Sequence, residues 1–423
     1  MTRPSANGNY KWSVVAMLWF ICLFNYADRQ AISGVFPKLR AEFGFDDEQI
    51  GLIGSAFMWV YAGGAPFAGF VADRIRRKHL ILGGCVFWSF VTMLTGACGK
   101  LWHFVTVRAL EGLGETFYYP ASMSLISDYH DANSRSRAMS FHQSSVYAGS
   151  ILGSWLGAWF AEKYNWRSGF YFFGAAGIVL SLFLYKFLIE PERGGADAAQ
   201  TEPRKVSVSE AITLVFRTPT ALLVMGAFVC ANFVATIFLM WTPTFLVDKF
   251  QFKLTSAGLS GSIFIHLASA LAVPVAGWTS DALARRHPGG RMMTQAIGLF
   301  FGIAFIFMVG LTQNVATLLV VMALFGICKG FYDSNIFAAL YDVIPPRARG
   351  TAAGIMNTVG WSGGALGPLA FGSFAKRGAG TSVQNMSNAI AFCSIFYLMA
   401  ALLLVVAIVF HSKRDVRRTW SVA

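Results

Sequence analysis

Asp28 and Arg29 stand side by side inside the first long apolar run of this 423-residue chain. The run extends from Trp12 to about Pro37, long enough to cross a bilayer, which takes ~20 apolar residues. An ionised side chain in a spanning helix costs roughly 2.5–3.5 kcal/mol on insertion scales, so such a residue marks a functional site by default. A second charged set lies in the run 101–129: Arg108, Glu111 and Glu115 fall at i, i+3 and i+7, on one stripe of a helix. Tyr118 and Tyr119 continue nearly the same face. Asp28 and Arg29 point about 100° apart and cannot both face one partner squarely. A guanidinium is permanently charged and offers a planar fork that fits a carboxylate. A buried carboxylate has a proton affinity that its surroundings can tune across physiological pH. Together these groups can bind an anion and exchange a proton. In the empty protein Arg29 needs an anion, which Asp28 or Glu115 supplies; a bound carboxylate takes over that role, and the displaced side chain takes up a proton. The competing reading is that the charges only pair and hold helices together.

Other polar groups in apolar runs extend this picture. Lys329 and Asp333 are four apart and can pair on one helix face; alternatively Lys329 is a second anion contact. His142 and His266 are either proton relays or hydrogen-bonded core residues. Tyr26, Trp59, Tyr61, Tyr118, Gln143, Asn232, Trp241, Asn335, Asn357 and Trp361 are candidates for the wall of a substrate cavity, because amphipathic rings give contact area at small entropic cost. No Gly-x4-Gly-Lys-Ser/Thr run is present, which argues against an ATP-driven pump, and no His-Glu-x-x-His or Gly-x-Ser-x-Gly run suggests an enzyme. The expectation is therefore no catalytic residue, no cofactor and no metal, with H+ as driving ion. Six cysteines fall in apolar segments without metal-ligand spacing and read as small hydrophobic filler.

The elements that must position these residues are membrane helices. The chain is 55% hydrophobic and 13% charged, against about 25% charged in a soluble domain. Apolar stretches recur along its whole length, at 12–37, 50–72, 79–98, 101–129, 139–161, 168–189, 220–247, 256–282, 293–312, 315–343, 349–375 and 387–410. The spacing predicts an all-α membrane protein with twelve transmembrane helices in two six-helix halves, 1–189 and 220–410. A cytoplasmic linker, 190–219, carries a short amphipathic helix opened by Ser207-x-x-Glu210 as a capping box, and 411–423 is a basic tail. The net charge of +13 comes from residues scattered between apolar runs, so a nucleic-acid partner is not expected. Lys and Arg crowd into the segments that face the cytoplasm if the N-terminus does, 21 against 9 in the outer loops. That asymmetry places both termini in the cytoplasm of a cell-membrane protein surrounded by lipid. The first run is too long for a signal-peptide core and is expected to be retained. A monomer is the expected state.

The halves repeat. Gly69-x-x-x-Asp73 with Arg76-Arg77 recurs as Gly277-x-x-x-Asp281 with Arg285-Arg286, at an offset of 208. Gly112-x4-Phe117-Tyr118, Asp128 and Arg135-x-Arg137 recur as Gly326-x4-Phe331-Tyr332, Asp342 and Arg347-x-Arg349, at 212–214. Six-plus-six repeats place a substrate site near the bilayer midplane. Gly149-x3-Gly153-x3-Gly157 in the fifth run, and Gly360-x3-Gly364 with Gly363-x3-Gly367 in the eleventh, allow a neighbouring helix to approach closely.

Gly69-Phe-Val-Ala-Asp73-Arg74-Ile-Arg76-Arg77-Lys78 resembles the loop signature of the major facilitator superfamily, departing from it at Arg76, where many members have Gly. Arg108-x-x-x-Gly112-x-Gly114 resembles the same superfamily's fourth-helix motif. Within it, Asn25-Tyr26-Ala-Asp28-Arg29, Ser55-Ala-Phe-Met-Trp59-Val-Tyr61 and Gly114-Glu115…Tyr119-Pro120 are similar to the anion:cation symporters, which move hexuronates, sugar acids and other carboxylates with protons. The Asn-Tyr-x-Asp-Arg and Gly-x-Gly-Glu segments, with Arg135-Ser-Arg137, are also similar to the spinster lysolipid transporters. The resemblance implies a fold of two pseudo-symmetric halves working by alternating access. It implies that Arg29 is the substrate-anion arginine and that Asp28 and Glu115 are the proton-titrating carboxylates. The loop signatures imply a cytoplasmic latch made by Gly69, Asp73, Arg74 and Arg77, with Asp281 and Arg285 as the second-half counterpart.

Overall fold

The computed structural model describes residues 10–130, 132–191, 208–345 and 348–421. Its helices run α1 (Tyr10–Ala31), α2 (Phe36–Phe43), α3 (Asp47–Arg74), α4 (Arg77–Thr95), α5 (Leu101–Thr116), α6 (Tyr118–Tyr129), α7 (Ala132–Lys163), α8 (Trp166–Leu184), α9 (Val208–Phe216) and α10 (Pro219–Phe250). They continue with α11 (Leu254–Ala284), α12 (Gly290–Leu311), α13 (Val315–Asp333), α14 (Ile336–Tyr341), α15 (Arg349–Arg377), α16 (Ser382–Val406) and α17 (Ser412–Ser421). Twelve spans result when α5–α6 and α13–α14 are each counted as one broken span and α2, α9 and α17 are set aside. Eight of the twelve pass as membrane-crossing on length and apolarity among the described residues. The four that do not are α1, α5–α6, α7 and α15; α1 and α5 hold the buried charges.

Three departures from the expected spans have a local reason. The first span ends at Ala31 rather than Pro37; a 3-10 turn at Ser33–Val35 follows, and Pro37 sits in the first turn of α2, where its missing N–H costs nothing. The fourth span breaks at Phe117, because Pro120 has no N–H to offer the Thr116 carbonyl. The tenth span breaks at Ser334 and Asn335 without a proline; the Asn335 amide donates to Ser334 Oγ at 2.6 Å, a local bond that competes with the helix ladder. The short helix expected in the linker is α9, with Glu210 in its first turn. Ser207 lies outside the described residues, as do the surroundings of Gly69 and the side chain of Asp73.

The described residues fall into two compact units, one within 1–45, 56–202 and 253–259, the other within 46–55, 203–252 and 260–423. In the first unit α7 lies directly on α1. A Cβ built on Gly149 would come within 2.5 Å of the Leu23 carbonyl oxygen, and one on Gly157 within 2.6 Å of that of Ala31. Gly153 meets the Ala27 backbone in the same way, so the glycine stripe sets α1 on both sides of Asp28. Val14, Leu18, Cys22, Cys85, Trp88, Tyr118 and Leu125 are among the residues of a core packed between α1, α4 and α6. In the second unit the glycines of α15 face α10, Gly363 against the Val229 backbone and Gly367 against the Phe233 carbonyl.

Each unit carries the same ionic signature. Arg77 pairs with Asp128 in the first and Arg291 with Asp342 in the second, an offset of 214. Arg135 donates to the Ser127 and His130 carbonyls, and Arg349 donates to those of Tyr341 and Ile344, again at 214. The structural repeat therefore matches Arg135 with Arg349, where the sequence spacing matched it with Arg347.

Candidate functional site

The first unit holds a buried cluster of two guanidiniums and three carboxylates. Arg29, in the last turn of α1, is 2% exposed. Its Nη2 and Nε both donate to Glu115 Oε2 of α5, at 2.5 and 3.0 Å. Three rings surround the guanidinium carbon, Phe57 at 4.4 Å, Tyr26 at 4.5 Å and Tyr61 at 5.0 Å, each presenting electron density that favours a cation. The other Glu115 oxygen, Oε1, is buried without a hydrogen-bond partner. Arg108 donates from Nη1 to Glu111 Oε2 at 2.5 Å, one turn on in the same helix, and from Nη2 to the Arg29 carbonyl at 3.4 Å. It is buried, and its guanidinium lies 5.0 Å from the Phe57 ring centroid.

Asp28 is the odd member. It is fully buried, and neither carboxylate oxygen has a hydrogen-bond partner. Its neighbour Arg29 is committed to Glu115, as the divergence of adjacent helical side chains requires. Two ion pairs thus account for two cations and two carboxylates and leave Asp28 outside both.

The remaining first-unit candidates divide. Tyr26 and Tyr61 belong to the ring cage. Tyr118 is a core residue: its hydroxyl donates to the Leu18 carbonyl at 2.7 Å and meets His142 Nε2 at 2.9 Å. Since the single hydroxyl proton goes to Leu18, His142 donates from Nε2, which leaves its buried Nδ1 bare. Tyr119 rather than Tyr118 reaches Gln143, donating to its Oε1 at 3.0 Å. Trp59 is 44% exposed and stands outside the cage.

In the second unit Lys329 and Asp333 form an ion pair on one face of α13. His266 and Lys329 line one small cavity together with Phe238, Ile265 and Phe325. Asn232 is half-buried with its Nδ2 lacking a partner. Asn335 is buried at the break after α13, and Asn357 and Trp361 are half-buried on α15. Trp241 packs in the core, with Nε1 donating to the Pro368 carbonyl at 3.2 Å.

Arg77 is buried and donates to Asp128, to Ser124 Oγ at 3.0 Å and to Glu190 Oε1 at 2.9 Å, while Arg74 is exposed. Asp281 pairs with Arg291 at 3.3 Å, not with Arg285. Arg291 gave no sequence signal because the matched loops pointed to Arg285-Arg286, five residues short of it. Two further contacts escaped the sequence reading. Phe57 was one aromatic among many, and nothing in its spacing tells which helix α3 faces. At the other end of the first unit, Glu42 accepts from Trp166 Nε1 and Arg167 Nη2, both at 2.6 Å. Among the described residues no group of three or more His, Cys, Asp or Glu is placed to hold a metal.

A family model described as Major Facilitator Superfamily matches residues 18–368 and 267–422. A probable anion transporter 4, chloroplastic, of Oryza sativa subsp. japonica is 28% identical over 392 residues, 89% of this chain; the chain spans 66% of that protein's length. A probable galactarate/D-glucarate transporter, GudP, of Bacillus subtilis is 26% identical over 432 residues, 94% of both chains. Among solved structures, a bacterial homolog to the human lysosomal transporter spinster, crystallised inward-facing and unoccupied, superposes with a TM-score of 0.85 over 100% of both chains at 21% identity. That likeness shows the fold.

Proposed function

We propose that this chain, a multi-pass membrane transporter that belongs to the Major Facilitator Superfamily, carries a small organic anion together with a proton by alternating access. The cargo class is a sugar acid or other small carboxylate, the class named in the B. subtilis relative. It works as a monomer in the cell membrane with both termini in the cytoplasm.

One observation carries the reading: the buried Arg29–Glu115 pair beside a buried, unpartnered Asp28. Removing one partner from a buried ion pair leaves an uncompensated charge, at a cost of about 3–5 kcal/mol. Glu115 therefore leaves Arg29 only when another anion replaces it, and a substrate carboxylate fits the same guanidinium edge. Once displaced, ionised Glu115 would itself be a buried charge without a partner, so it takes up a proton. Asp28 is already in that situation. As a carboxylate it would be an unpaired buried charge; as a carboxylic acid it costs no more than a buried polar group, so it is the resident proton site while Glu115 holds Arg29. Arg108 and Glu111 neutralise each other and support the Arg29 backbone. Lys329 with Asp333 offers the second unit a cation–carboxylate pair of the same kind, with His266 lining the Lys329 cavity, and His142 is hydrogen-bonded to Tyr118. The latch residues Arg77 and Asp281 hold helix ends at the cytoplasmic side.

The test is uptake by proteoliposomes under an imposed pH gradient, with labelled hexuronates, aldonates and aldarates, for the wild type and Arg29→Ala. Gradient-driven accumulation that Arg29→Ala abolishes supports anion symport. Absence of carboxylate flux, with transfer of a labelled lysolipid instead, replaces this reading with a spinster-type one.

A further inference from the structure

Phe57 touches both guanidiniums of the buried cluster, and neither ion pair accounts for it. Its side chain is fully buried. Its ring centroid is 4.4 Å from the Arg29 guanidinium carbon and 5.0 Å from that of Arg108. The Tyr61 ring stacks on it at 5.7 Å with an interplanar angle of 18°. The backbone under it is fixed as well: a Cβ built on Gly112 would come within 2.5 Å of the Phe57 carbonyl oxygen. Gly112 lies between Glu111 and Glu115, so the point at which α5 presses on α3 is also the point that carries both carboxylates.

An aliphatic side chain would be equally apolar here. What a phenyl ring adds is a face of negative potential, which attracts a cation without neutralising it and without offering it a proton acceptor. That property matters at one moment of the proposed cycle. During the exchange, as Glu115 withdraws and the substrate carboxylate takes its place, Arg29 is shared between two anions and fully held by neither. A guanidinium held only by Glu115 would follow the carboxylate as it moved. One also held by rings stays where the incoming anion needs it.

We propose that Phe57 is a positioning residue for anion binding, holding the Arg29 guanidinium in its binding-competent place independently of Glu115. The inference rests on the reading of Arg29 as the anion site. Because the ring contact is made by Arg29 separately from its bonds to Glu115, its loss acts through the fraction of protein in which Arg29 is correctly placed. Apparent affinity falls in proportion to that fraction, and turnover of the loaded protein is spared.

The experiment replaces Phe57 with 4-fluoro-, 3,5-difluoro- and 3,4,5-trifluorophenylalanine, which keep the ring's shape while draining the negative face, and with leucine. KM and kcat of counterflow exchange are measured in proteoliposomes for the best transported of D-glucuronate, D-gluconate and D-glucarate, with thermal stability followed alongside. The expected result is a stepwise rise in KM along the fluorine series, reaching about tenfold, with kcat flat and the melting temperature unmoved; Phe57→Leu reaches a KM at least as high. A KM that stays flat along the series, with impairment confined to a destabilised Phe57→Leu, makes the ring a space-filler and overturns the proposal. Arg29→Ala separates the two levels of the argument. If it keeps the wild-type KM, the anion-site reading and this inference fall together; if it abolishes exchange while the fluorine series is flat, the inference alone falls.

Discussion

Glu115 holds Arg29 through one oxygen and leaves the other without a partner, and that asymmetry decides what its replacement does. A glutamine at 115 keeps the shape but cannot neutralise the guanidinium or gain and lose a proton. Glu115→Gln is expected to abolish proton-driven accumulation while leaving counterflow exchange, in which no net proton moves; unchanged uphill uptake in the variant would sink the swap. Asp28→Asn tests the other carboxylate. An asparagine resembles the neutral acid already inferred there, so thermal stability should move by less than about 1 kcal/mol while gradient-driven uptake is lost. A large destabilisation would instead mean that Asp28 is ionised and holding helices together. These residues were legible in the sequence because a charge inside an apolar run is its own signal. Phe57 was not: with 39 phenylalanines in the chain, a single ring carries no information until its neighbours are known.

Gly153 faces the Ala27 backbone, one residue before Asp28, and Gly112 faces the Phe57 backbone. Helix α7 therefore sets the rotation of α1, and α5 is locked to α3 at the level of the charge cluster. A side chain at either glycine must push backbone aside. Gly112→Leu and Gly153→Leu are each expected to lose at least about 1–3 kcal/mol from overpacking, read as a lower midpoint of thermal unfolding in detergent. A midpoint equal to wild type would show that these contacts are looser than described. The stripe in α7 was visible in the sequence, because three glycines at a spacing of four lie on one face. The breaks after Thr116 and Asp333 were not, because each lies within one continuous apolar run. A proline four residues on explains the first; the second depends on a side-chain bond between adjacent residues. The match of Arg135 with Arg349 shows only in the structure, since the Arg-x-Arg spacing aligned Arg135 with Arg347.

Response to acid belongs to the molecule as a whole. The hydrogen bond from Arg167, assisted by that from Trp166 and opposed by partial burial, holds Glu42 below its ordinary value of 4.5. A depressed carboxylate contributes its stability above its unfolded value and loses it as pH falls through the folded one. The tie between α2 and α8 is thus expected to persist from pH 7 to about 5 and to weaken below 4.5. Glu42→Gln should flatten the fall in thermal stability below that pH; an identical acid profile would remove Glu42 from the account. Twelve spans were legible because a bilayer demands apolar length, and the repeat was legible because loop motifs recur; which cation meets which carboxylate is set by packing and was not. Coupling itself is read from proton movement caused by substrate. Proteoliposomes carrying a pH dye in the lumen, with no pH gradient imposed, receive an inward gradient of the best transported carboxylate. The lumen is expected to acidify in step with carboxylate entry, and the response to be lost in Glu115→Gln and in Arg29→Ala. Carboxylate entry with no change in lumenal pH, under a clamped membrane potential, would contradict it.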